Sequence, residues 1–104
     1  MSAAKKLSPV IIVDKALEEI MVNFVQNRIN DLTAIETAVF KGDWEEARRY
    51  AHIVAGVSGG YGFTELGEQA RLIEKYIESK DRDKIIASIF YLKDYLKIVT
   101  VIYN

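Results

Sequence analysis

The chain has 104 residues, a length that suits one domain built around a single hydrophobic core. Half of its residues are apolar, and 14 basic against 15 acidic side chains leave a net charge of −1, so no long-range field draws it to nucleic acid or to an anionic membrane. It contains no cysteine, which excludes a disulfide scaffold, thiol catalysis and any cysteine-based zinc site.

The N-terminal run MSAAKKLSPVIIVD carries two lysines and a short apolar patch interrupted by Pro9. The patch is too short for the core of a signal sequence or for a membrane span. A cytoplasmic, untethered domain over 1–104 is therefore expected, with 1–13 as a lead-in. Residues 10–13, VIIV, are β-branched and predict an extended segment. Asp14 can then cap a helix by accepting the free amides of its first turn. Beyond it Leu17, Met21, Phe24, Leu32, Ile35 and Val39 follow helical spacing, with Arg28 interrupting the stripe. This stretch reads as one long helix, or as two meeting near Val22.

The next stop is KGD, where Gly42 suits a left-handed helix end and Asp43 suits the cap of the following helix. That helix is predicted from Trp44 to about Gly59. After a turn at GYGF, a further helix runs from about Thr64 to Ser79, with Leu66, Ala70, Ile73 and Ile77 on one face. Asp81 or Asp83 caps the last one, whose Ile85, Ile89, Leu92, Leu96, Val99 and Tyr103 alternate in steps of four and three. Such a seam belongs to a helix packing at a shallow angle in a bundle. No strand pairing, repeat or linker is expected. The predicted fold is all-α: an antiparallel up-down four-helix bundle, with a short extra N-terminal helix as a variant.

One window departs from ordinary helix chemistry. AHIVAGVSGGYGF, residues 51–63, holds four of the six glycines and the only histidine. Each glycine inside a helix costs roughly 1 kcal/mol relative to alanine. Projected at about 100° per residue, Ala47, Tyr50, Ala51, Val54, Ser58 and Tyr61 form the core stripe, and His52 lies about 150° from its centre. Gly56 falls farther round, with Ala55 and Gly59 nearby and Arg48 on the same outer flank. Solvent does not require small residues there, whereas close approach of another molecule does. Helix–helix packing is the competing account of the small residues, although the projection turns them away from the core.

The chemistry open to such a histidine is narrow. Metal binding needs several converging ligands, and no second histidine or cysteine exists. Ser58 lies on the core side, away from any serine–histidine pairing. A flat facet lacks the pocket that general base catalysis requires. A neutral imidazole retains a lone pair that can accept a phosphoryl group and give it up again. No phosphate-cradling glycine loop followed by Lys and Ser/Thr is present, so the chain does not read as an ATP enzyme.

These residues resemble the histidine-containing phosphotransfer (Hpt) domains of bacterial two-component phosphorelays. The resemblance rests on Ala51-His52, Ala55, Gly56, the step Tyr61-Gly62-Phe63, and Leu66. KGDWEEARRYAH, ELGEQARLIE and FVQNR extend it, over roughly residues 14 to 100. It implies phosphorylation of His52 on Nε2, with Gly56 and Gly59 giving room for a docking partner. That partner is the receiver domain of a response regulator or of a hybrid histidine kinase, which brings the Mg²⁺; no cofactor is expected on this chain, and a monomer is expected. Many members carry lysine three residues after the histidine. Here Ala55 stands, and Arg48, one turn below His52, is the candidate for that positive charge, besides its plainer reading as a solvated charge paired with Glu45 or with nothing. Glu74 holds the position where some members place an acid near Nδ1, besides its plainer reading as a bundle-bracing surface residue. The alternative function is a non-phosphorylated adaptor that uses the same glycine-rich facet to bind a receiver or a helix.

Overall fold

The computed structural model describes residues 9–104; positions 1–8 of the expected lead-in lie outside the described residues. Three aspartates begin the helical segments. The Asp14 carboxylate accepts the Ala16 N–H at 2.8 Å, opening a single 3-10 turn over Lys15–Leu17 that leads into helix α1, Glu18–Lys41. The Asp43 carboxylate accepts the Glu46 N–H and starts α2, Trp44–Ser58. Asp81 does the same for Lys84 at the head of α4, Arg82–Ile98. Between them α3 spans Thr64–Glu78. Each cap satisfies an amide with no partner inside its own helix, worth about 1 kcal/mol.

The break expected near Val22 does not occur. With neither glycine nor proline between Asp14 and Lys41, nothing interrupts the hydrogen-bond ladder, and the extra N-terminal helix reduces to the 3-10 turn. Gly42 ends α1 with φ +74°, as its position in KGD predicts. Arg28 does not break the stripe either. Its Nε donates to Asp31 Oδ2 at 2.9 Å while the guanidinium lies 4.8 Å from the centre of the Phe24 ring. The charge stays at the edge while the stem covers apolar surface.

Two further expectations need correction. The seam of α4 was predicted to run to Tyr103, but the helix stops at Ile98 and Val99 turns extended, with ψ 135°. Residues 100–103 form strand β2, which pairs in parallel with β1, Val10–Val13, placing Val10 opposite Thr100 and Val13 opposite Tyr103. The all-α description therefore gains one small parallel pair of strands. Its cause is the β-branched run from Val99 to Ile102, which is stiff in a helix and fits a pleated strand. Pairing satisfies the backbone of both end segments: Thr100 N–H donates to the Pro9 carbonyl at 2.8 Å and Asn104 N–H to that of Val13 at 3.1 Å.

The four helices share one core. Leu32 and Ile35 of α1, Ala51 and Val54 of α2, Leu66 and Ile73 of α3, and Ile85, Ile89 and Leu92 of α4 are all buried. α1 and α3 each pack against both α2 and α4. Burying a leucine or isoleucine stabilises by about 1.5–3 kcal/mol, so these seams outweigh the helix-propensity loss of a glycine on an outer face. The turn after α2 is pinned from α1: Phe24 stacks on Tyr61 at 4.3 Å and on Phe63 at 5.1 Å, centroid to centroid. FVQNR and GYGF, distant in sequence, thus form one aromatic contact.

Two glycines respond in opposite directions to an added methyl group. Gly62 closes the turn at φ +87°, and a Cβ there would come within 3.2 Å of the Ile12 carbonyl oxygen. Gly62→Ala is expected to lose at least about 1–2 kcal/mol in urea denaturation, the cost of a left-handed L-residue. Gly56 sits in regular α2 with no neighbouring atom within 4 Å of a Cβ, so Gly56→Ala is expected to gain up to about 1 kcal/mol.

Candidate functional site

The site follows from how closely α2 and α3 approach. Gly67 of α3 is buried, and a Cβ there would lie 3.5 Å from the Ser58 Cβ and 3.6 Å from the Ala55 carbonyl oxygen. A larger side chain would hold the helices apart. The Ser58 hydroxyl, fully buried in this contact, donates to the Val54 carbonyl and leaves no unpaired polar atom. Glycine at position 67 thus has a packing role, the helix crossing suggested by its size.

From that crossing the two helices stay in register. One turn down α2 corresponds to one turn up α3. His52 meets Glu74, with Nδ1 and Oε2 3.0 Å apart, and Arg48 meets Glu78, with Nη2 and Oε2 3.9 Å apart. A carboxylate only accepts hydrogen bonds, so Nδ1 carries the proton and the lone pair resides on Nε2. The His52 side chain is 77% exposed while Glu74 is 26% exposed. The carboxylate is held by the bundle and the imidazole projects from it.

A shallow hollow of about 470 Å³ lies beside the histidine, lined by Arg48, Arg49, His52, Glu74 and Glu78. Its two arginines are engaged. Arg49 makes a two-pronged contact with Glu46, at 3.1 and 2.8 Å, and this hydrogen bonding holds the Glu46 carboxyl below the usual carboxylate range. Arg48 faces Glu78 rather than Glu45, in a long and exposed pair of the kind worth at most about 1 kcal/mol.

On the other side of His52 the surface is stripped of side chains. Gly56 and Gly59 are exposed, and a Cβ on either would meet nothing within 4 Å. Internal packing therefore does not account for them. Ala55 differs from expectation: it is only 4% exposed and lies in the α2–α3 seam, with its carbonyl oxygen turned toward Gly67. The projection missed this because it treated α2 alone, without the flank that α3 covers. Sequence reasoning also missed Glu78 as the partner of Arg48, and Arg71, which lines a hollow with the two open glycines. Neither carries a signal in the linear sequence; both emerge from the register between two helices.

Residues 19–99 match the family model described as the Hpt domain. No match is found among curated proteins or solved structures. The matched span covers all four helices but for Glu18, and the whole α2–α3 seam, with its exposed histidine and adjoining glycines. The chain belongs to the Hpt domain family, whose members act in histidine phosphotransfer in phosphorelays as phosphocarriers without kinase motifs of their own.

Proposed function

We propose that this chain accepts a phosphoryl group on Nε2 of His52 from a receiver aspartate or a kinase, and passes it to another receiver. The observation that carries the reading is the Nδ1 contact with Glu74, which turns the lone pair of an exposed ring outward. In the forward step Nε2 attacks phosphorus as the bond to the donor aspartate oxygen breaks, and the aspartate leaves with that electron pair. The ring becomes cationic with its proton still on Nδ1, where the Glu74 carboxylate stabilises it. No proton has to leave, which suits a reversible carrier.

Gly56 and Gly59 form the proposed docking facet for the receiver. The receiver domain, in a response regulator or a hybrid histidine kinase, is expected to bring Mg²⁺ and most of the stabilisation of the transferring group. Connections of two, five and three residues between successive helices support an antiparallel up-down arrangement of the bundle.

After incubation with a phosphorylated receiver and Mg²⁺, wild type is expected to carry acid-labile phosphate and His52→Gln none. Equal label on the variant would exclude His52 as acceptor. Binding to the receiver without any label would favour the adaptor reading.

Glu74→Ala is expected to slow labelling by roughly threefold to tenfold, the weight of one charge-assisted but partly exposed hydrogen bond. Glu74→Gln, which can accept the same bond, should fall less. Comparing the two initial rates separates ring orientation from charge.

A further inference from the structure

The register between α2 and α3 points to Arg71 as a residue that neither the histidine motif nor its immediate surroundings identify. Three contacts define a ladder along the seam: Arg48 with Glu78, His52 with Glu74, and Ser58 and Gly59 with Gly67. One rung is left between the second and the last. On α2 it holds Ala55 and Gly56, and on α3 it holds Ala70 and Arg71, three residues before Glu74. Ala70 is buried, so the exposed member of that rung is Arg71. Arg71 lines a hollow of about 300 Å³ together with Ala55, Gly56, Gly59, Gly67 and Glu68.

The arginines near His52 differ in what holds them. Arg48 faces Glu78 and Arg49 is fixed to Glu46. Arg71 has Glu68, Glu74 and Lys75 one turn away on its own helix. Among the described residues it makes no ion pair within 4.0 Å. Of these acids Glu74 is taken by the imidazole, and Glu68 lines the same hollow as Arg71. Across the seam Arg71 faces alanine and glycine, so no side chain there blocks its sweep toward His52.

We propose that Arg71 binds the phosphoryl group on His52, supplying from α3 the cation that Ala55 cannot supply from α2. The proposal rests on the reading of His52 as phosphoacceptor. A guanidinium offers paired N–H donors to two phosphoryl oxygens. Approaching from the glycine side, opposite the Arg48–Glu78 rung, it would contact the group on Nε2 without displacing Glu74 from Nδ1. Alanine at 55 and glycine at 56 then have a purpose inside the chain as well as toward a partner: they clear the path for this arginine.

The test uses phosphoramidate as phosphoryl donor, so that no receiver contributes a charge, with label on His52 followed by mass spectrometry and by ³¹P NMR. The intact chain and its Arg71→Ala, Arg71→Lys and Arg48→Ala variants are compared, with circular dichroism confirming the fold of each. Arg71→Ala is expected to label about tenfold more slowly, the weight of one charge-assisted hydrogen bond. It should also shift the ³¹P resonance, while Arg71→Lys recovers part of the rate and Arg48→Ala loses less than Arg71→Ala. Equal rates and resonances for Arg71→Ala and wild type would overturn the proposal, as would a loss confined to Arg48→Ala. Absence of label on the wild type would instead overturn the assignment of His52 as acceptor, and the proposal with it.

Discussion

The contact on which the site depends is the crossing of α2 and α3 at Gly67. Because position 67 has no side chain, the helices meet there at the distance of a Ser58 methylene and an Ala55 carbonyl. That approach sets the register for two more turns. Without it Glu74 would not reach Nδ1 of His52, and Glu78 would not face Arg48. A packing decision in the core therefore fixes the tautomer of a side chain on the surface. Buried Ser58 contributes to the same constraint by satisfying its hydroxyl within α2, so that no polar atom competes at the crossing.

The glycines of the window AHIVAGVSGGYGF divide by physical cause. Gly62 is required by a left-handed turn pinned between Ile12 and the aromatic cluster of Phe24, Tyr61 and Phe63. At Gly56 and Gly59 an added Cβ would meet nothing within 4 Å. Their cost in helix propensity, about 1 kcal/mol at an interior position, is tolerated because the buried seams of α1, α3 and α4 hold the bundle independently. Gly56 thus forgoes stability that an alanine would recover, which fits the roles proposed for it.

Much of this was readable in advance, and the failures have definite causes. The caps at Asp43 and Asp81 and the stop at Gly42 act through local backbone chemistry, so the residues themselves announce them. His52 could be placed outward because the apolar spacing of α2 is regular. Tyr103 could not be placed: its spacing continues the seam of α4, yet the β-branched run before it finds a partner in Val10–Val13, nearly the whole chain away. Ala55 was misplaced, and Arg71 and Glu78 were overlooked, for one shared reason. A projection of one helix knows its own faces but not which flank a neighbour covers, and that is decided by the crossing at Gly67.

The central claim is that the seam presents Nε2 of His52 as the nucleophile by holding the proton on Nδ1. The most direct measurement is ¹H–¹⁵N NMR of the His52 ring, before and after phosphorylation. The account predicts the Nδ1–H tautomer in the free protein and phosphorus coupled to Nε2 in the product. A free protein with its proton on Nε2, or a product carrying phosphorus on Nδ1, would contradict it.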